Sequence, residues 1–202
     1  MAEFYLDIET ARSNPKDINE KANLDPRTGK IITIQFQQLD SRTGKPIGEL
    51  QVLKEWKSSE KDILNQFFER FNIEKTWDFI PVGHNLSFEF KFLRHKSLEL
   101  LAKDIPAESL YVQKPFIDIK HICVILNGGN FLGCGLDNFS AKLHDGKFID
   151  SWYQDGEYEN IEKYVNTEAS AFVELYQEMK SKIPIALDDF LKKVRKNKPI
   201  TQ

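Results

Sequence analysis

Near the start of the chain, Phe4-Tyr5-Leu6 runs into Asp7-Ile8-Glu9-Thr10, an apolar stretch ending in two carboxylates with one apolar residue between them. Aromatic and aliphatic residues at positions 4, 5, 6 and 8 predict a buried strand. Side chains alternate between faces along a strand, so Asp7 and Glu9 share one face, roughly 6–7 Å apart. Two carboxylates held that way repel each other, and a divalent cation removes the repulsion. Oxygen ligands suit hard cations such as magnesium or manganese. Taken alone, the same pair also describes a solvated strand end in a chain that is 29% charged.

The rest of the sequence narrows the choice. A length of 202 residues suits one large domain better than two small ones, and 41% hydrophobic residues suffice for a core. The net charge of −3 gives no global basic field, so contact with a polyanion must be local or metal-assisted. The two cysteines, Cys123 and Cys134, fit neither a zinc spacing nor a disulfide framework, which predicts a reduced, cytoplasmic setting. With Glu3 and Asp7 among them, the first residues do not read as a signal peptide, and no apolar run reaches membrane-spanning length.

After the first strand, Ala11 to Lys30 carries the turn signals Asn14-Pro15, Asp25-Pro26 and Gly29. A loop of this length is often functional, and this one starts beside Asp7 and Glu9, where it can wall the site or simply move. Ile31–Phe36 and Gly48–Trp56 predict a hairpin. Ser58 or Ser59 caps a helix whose stripe of Ile63, Leu64, Phe67, Phe68 and Phe71 is core. Phe79–Gly83 reads as a strand end or edge because of Pro81. A helix follows from about Leu86, with Asn85 as its cap and Glu89 one turn in. Its polar residues lie at a strand end, the usual place for sites in open α/β sheets. His84 by itself reads as a structural histidine, and the four histidines, His84, His95, His121 and His144, show no metal-ligand spacing. Pro115–Ile119 predicts a short strand leading into a helix through Leu126, then a glycine-rich loop to Gly135 and a short helix from Leu136 to about His144. Asn160–Lys180 predicts a long helix that puts Tyr164 and Glu168 on one face and stops at Pro184. A basic end follows, with Lys192, Lys193, Arg195, Lys196 and Lys198; such an end is either a solvated face or a phosphate contact.

Three stretches now stand in order: Asp7-Ile8-Glu9-Thr10, Gly83-His84-Asn85 to Phe88-Glu89, and Tyr164-Val165-Asn166-Thr167-Glu168. The set resembles the DEDD superfamily of 3′–5′ exonucleases. It is most similar to the tyrosine-type branch that serves as the proofreading domain of family B DNA polymerases. Lys163 stands where the histidine-type branch carries its histidine. The chain departs from the family by having glutamate, Glu89 and Glu168, where aspartate is expected in the second and third motifs. Each carboxylate is then one methylene further from its backbone, a large change for a metal site.

The resemblance implies an α/β, ribonuclease H-like fold, with a central mixed β-sheet flanked by α-helices. Residues 1–182 would form the exonuclease domain and 183–202 a C-terminal basic helix or tail. It implies hydrolysis of a terminal phosphodiester with two divalent cations, Mg2+ or Mn2+, roughly 3.5–4 Å apart. Asp7 would bridge the ions, Glu9 and Glu168 would hold the water-activating one, and Glu89 would support the second. Tyr164 would orient the attacking water. Ile8, Thr10, Asn85 and Phe88, with His84 beside them, would cradle the terminal nucleotide. The partner implied is nucleic acid with a single-stranded or frayed 3′ end, DNA before RNA. A proofreading or repair role would need a polymerase or repair partner in trans. The two glutamates also support another reading, a catalytically weak or inactive nuclease-like module that binds nucleic acid or acts as a scaffold.

Overall fold

A computed structural model gives the fold, described for residues 1–19, 21–140 and 146–196. Five strands form one sheet: β1 (Glu3–Arg12), β2 (Gly29–Leu39), β3 (Pro46–Lys54), β4 (Ile80–Gly83) and β5 (Ile117–Asp118). Their order is β3-β2-β1-β4-β5. The hairpin neighbours are antiparallel, β1 with β2 and β2 with β3, whereas β4 runs parallel to β1 and β5 parallel to β4. The helices are α1 (Glu60–Arg70), α2 (Leu86–Leu101), α3 (Lys120–Leu126), α4 (Ile149–Gln154) and α5 (Tyr158–Lys196). This is the expected mixed sheet with flanking helices, a ribonuclease H-like α/β fold.

Strand alternation divides the core. Phe4, Leu6 and Ile8 on β1 pack against α1 and α2, where Ile63, Leu64, Phe67, Phe68, Phe90 and Leu93 are buried. Tyr5 points the other way, into a cluster with Cys123, Phe172, Tyr176 and Met179 from α3 and α5. Each large side chain buried this way contributes about 1.5–3 kcal/mol. A register shift between Glu9 and Thr10 breaks the β1–β2 ladder, as a bulge does, immediately after the second carboxylate.

Several local expectations hold. Ser59 caps α1, its hydroxyl accepting from Asp62 N at 3.1 Å. Others need correction. Pro81 lies in an interior strand, not at a sheet edge; β5 pairs only with Val82 and Gly83, so Pro81 falls outside that ladder and its missing N–H costs nothing. Pro184 does not end the last helix, because α5 runs through it to Lys196. Asn85 makes no side-chain cap; it is left-handed, at φ 70°. Helix α4 has no counterpart in the sequence reading. His144 and Lys198 lie outside the described residues. No helix among the described residues is long and apolar enough to cross a membrane.

Candidate active site

Helix α5 lies antiparallel to β1, and a ladder of contacts fixes their register. At the start of β1, Tyr176 Oη donates to Glu3 Oε2 at 2.8 Å and Lys180 Nζ to Glu3 Oε1 at 2.9 Å. Further along, the Tyr5 and Phe172 rings lie 4.8 Å apart. From Tyr176 back to Glu168 is eight helical residues at ~1.5 Å, and from Glu3 to Asp7 four strand residues at ~3.3 Å; both spans are about 12–13 Å. The same register therefore delivers Glu168 to Asp7 and Glu9. One carboxylate oxygen from each of Asp7, Glu9 and Glu168 lies within 4.8 Å of the others, and all three residues are partly exposed.

The neighbours of this cluster are fixed by strand pairing. Gln35 faces Asp7 across the β1–β2 ladder, and its Nε2 donates to Asp7 Oδ2 at 3.2 Å. Tyr5 Oη donates to the same oxygen at 3.4 Å. Glu89 enters from the first turns of α2 and is buried, within hydrogen-bonding reach of Asp7. Its Oε2 is buried with no partner among the described residues. Burial, and then the charge of Asp7, push the Glu89 carboxyl well above the usual carboxylate range.

Tyr164, one turn before Glu168, is packed among Ile149, Ile161, Val165, Ala11 and Ile32. Its hydroxyl hydrogen-bonds to Glu168, and burial together with the charges of Glu9 and Glu168 hold the phenol far above its ordinary pKa. Tyr5 is raised for the same reasons, burial first and then Asp7, Glu168 and Glu9. These phenols and Glu89 respond to one concentrated negative field. Glycine at position 146 makes room for Tyr164, since a Cβ there would stand 3.2 Å from the Tyr164 hydroxyl.

Helix α2 is aimed from outside itself. Asp118 on β5 accepts from the backbone N–H groups of Asn85 at 2.8 Å and Leu86 at 2.9 Å, and also from Lys120 N at 3.0 Å. Lys120 Nζ in turn donates to Asn85 Oδ1 at 2.9 Å. The cap of α2 is thus supplied by a strand about thirty residues downstream. His84 Nε2 donates to the Cys134 carbonyl at 2.7 Å, and burial lowers the imidazole pKa.

Of the residues expected to cradle a nucleotide, Ile8, Thr10 and Phe88 line one cleft of about 620 Å³ beside Glu9. Asn23 and Leu24 of the long loop form part of its wall, and Gly146 and Ile149 form another part. His84 and Asn85 do not line this cleft; their side chains engage Cys134 and Lys120. The sequence reading missed Tyr5, Gln35, Asp118 and Gly146. One signal for the α5 contacts was available: Tyr164, Glu168, Phe172, Tyr176 and Lys180 recur at four-residue spacing, matching Glu3, Tyr5, Asp7 and Glu9 at two-residue spacing.

Solved structures share this arrangement of sheet and helices. The zinc-bound E. coli exonuclease I complex with single-stranded DNA matches with a TM-score of 0.61 at 12% identity, over 95% of this chain and 43% of that one. The fold is similar to that of exonuclease I. A complex of exonuclease I with the inhibitor BCBP gives 0.59 at 12% identity, over 95% and 43% of the two chains. E. coli exonuclease I with a dT13 oligonucleotide gives 0.55 at 12% identity, over 94% and 43%. The chain spans less than half the length of these exonuclease I chains. No protein-family model and no curated protein matches it. At this identity the likeness to exonuclease I is one of fold.

Proposed function

We propose that this protein is a metal-dependent 3′–5′ exonuclease that hydrolyses terminal phosphodiester bonds of nucleic acid, DNA in preference to RNA. The observation that carries the proposal is the meeting of Asp7, Glu9 and Glu168 within 4.8 Å at one end of β1, with the Tyr164 hydroxyl on Glu168. The exonuclease I structures of this fold include complexes with single-stranded DNA, which supports a single strand as the substrate. Tyr164 and Lys163 support the tyrosine-type branch. The catalytic unit is residues 1–182, with 183–202 an appended basic segment.

The donor set fits divalent cations such as magnesium or manganese. Every candidate ligand, Asp7, Glu9, Glu89 and Glu168, offers carboxylate oxygen. The buried Glu89 Oε2 also lacks a hydrogen-bond partner among the described residues, as a ligand atom would without its ion. Held by these carboxylates, divalent ions would supply an activated water and stabilise the charge on the departing oxygen. Tyr5 and Gln35 both donate to Asp7 Oδ2 and so fix the direction of its carboxylate. Tyr164, kept protonated by its surroundings, presents a hydroxyl that orients the attacking water. Phe88 and the β1 backbone at Ile8 and Thr10 receive the terminal nucleotide in the cleft.

A second reading, a binding module with weak chemistry, draws on Glu89, whose longer side chain is turned onto Asp7. A labelled single strand incubated with Mg2+ or Mn2+ separates the two. The parent should shorten the strand from its 3′ end, and Asp7→Ala should abolish this. Removing one charge from the cluster should leave the metal-free Tm unchanged or higher, and the rise in Tm on adding metal should shrink. Undiminished cleavage by Asp7→Ala would overturn the assignment.

A further inference from the structure

The loop that walls the cleft and helix α2 continue past the cleft side by side. Asn23 and Leu24 lie on the loop side of the cleft, and Phe88 on the helix side. The next loop residues, Asp25 and Arg27, and the next turns of α2, with Lys91, Arg94 and His95, line a second groove of about 360 Å³ together with Asp104. Phe88, Lys91 and His95 recur at helical spacing, so one face of α2 leads from the cleft into the groove. Seven residues at ~1.5 Å cover about 10 Å, the length of about three stacked nucleotides at ~3.4 Å each.

The groove is firm and locally cationic. A Cβ on Gly29 would stand 2.8 Å from the Asn23 carbonyl oxygen, so glycine there allows the wall to sit directly against the start of β2. Gly29 N donates to Asp25 O at 2.6 Å and Thr28 Oγ1 to Ala22 O at 2.8 Å. Arg27 takes up the Asp25 carboxylate, with Nη2 2.6 Å from Oδ2, and Arg94 is braced by the Ile105 carbonyl at 2.8 Å from its Nε. The cations Arg27, Lys91 and Arg94 thus outnumber Asp25 and Asp104, beside an acidic cluster in a chain of net charge −3. An anionic strand with its 3′ end among the carboxylates meets opposite charge in this groove.

We propose that the groove between α2 and the Asp25–Arg27 wall holds phosphates of the single strand upstream of the scissile bond. This rests on the exonuclease reading for the direction of the strand. Phosphate contacts position a strand without reading its sequence, so the site takes any base order.

The test uses Lys91→Gln, Arg27→Gln and the double variant, exposed positions away from the carboxylate cluster. Anisotropy of a labelled twelve-residue oligothymidylate, in EDTA so that it stays intact, should show the double variant binding about tenfold more weakly. Its slope of log K against log salt should be smaller by about 1.4, or ~0.7 for each phosphate of a single strand that the protein no longer neutralises. Hydrolysis of the p-nitrophenyl ester of thymidine 5′-monophosphate with manganese reads the cluster alone and should stay within twofold of the parent. Equal oligonucleotide affinity and slope in all four proteins would overturn the groove, whatever the ester shows. Parallel loss of ester hydrolysis in the variants would also overturn it, because the substitutions would then act through the cluster. Failure of the parent to cleave the ester would strike the exonuclease reading instead, while a tenfold loss of oligonucleotide binding would still identify the groove as a nucleic-acid surface.

Discussion

At Tyr164 the fold places a phenol against Glu168 in the field of Glu9 and Asp7. The same ring is core, packed on Ile149 and Ile161. Tyr164→Phe keeps the ring and removes only the hydroxyl, so it separates the two roles. Turnover should fall by about 10²-fold with KM nearly unchanged; a rate within twofold of the parent would leave Tyr164 as packing alone. His84 yields a pH prediction. It is neutral, donates to the Cys134 carbonyl, and has a pKa held below the ordinary ~6.5 by burial. As pH falls, the unfolded chain takes up this proton first. The stability involved is therefore complete above about 6.5 and is lost as pH drops from there through the folded-state pKa. His84→Gln retains an N–H donor without a titration, and should flatten that limb of a Tm–pH curve. A variant curve parallel to the parent's would assign the limb to other groups. Single residues were legible where spacing alone sets direction: alternation put Asp7 and Glu9 on one face, and a helical turn joined Tyr164 to Glu168. Gln35 was not legible, because its contact with Asp7 depends on strand register.

Elements with a full periodic stripe were legible, and those fixed by distant partners were not. Helix α1 showed its cap and its buried apolar stripe in sequence. Helix α4 is only six residues long, too short for a helical period to stand out. The start of α2 was misread because local rules favour Asn85 as its own cap, whereas the donors there go to Asp118. Asp118 thereby sets where the first turns of α2 sit, and with them Phe88 and Glu89. Asp118→Ala should cost about 0.5–2 kcal/mol, the usual loss for a helix cap, or a Tm lower by about 1–8 °C. Turnover should fall as well, since Glu89 moves with the helix. Asp118→Asn retains an acceptor and should recover much of both. Calorimetry and the strand-shortening assay on the two variants check this; an unchanged Tm and rate in Asp118→Ala would make the cap dispensable.

At the scale of the whole molecule, Glu89 and Glu168 reach the same cluster from opposite faces of the sheet, on α2 and α5. The distance between them is therefore set by the sheet and its two layers of packing, not by either helix alone. Sequence showed that both residues are glutamates, but it could not show how two longer carboxylates are accommodated. The structure gives part of the answer. Glu89 lies buried against Asp7, whereas Glu168 stays partly exposed and engages Tyr164. If the layers are fitted to glutamate, shortening either residue opens a gap that a close-packed interior closes only in part. Glu89→Asp and Glu168→Asp should each lower activity, Glu168→Asp more so because its helix also carries Tyr164. The double variant should depart from the product of the single effects, because both residues serve one cluster. All four proteins should favour Mn2+ over Mg2+, since magnesium demands near-ideal octahedral geometry and manganese binds such ligands more strongly. The measurement is the initial rate of strand shortening for the parent, both single variants and the double variant with each metal. A double variant faster than the parent, most clearly with Mg2+, would mean that the sheet still holds its two helices at an aspartate spacing. The glutamates would then be a worn site, and the binding-module reading would displace the enzyme. Losses in both single variants would instead mean that the two faces of the sheet have moved with their longer side chains, and that the site works as built.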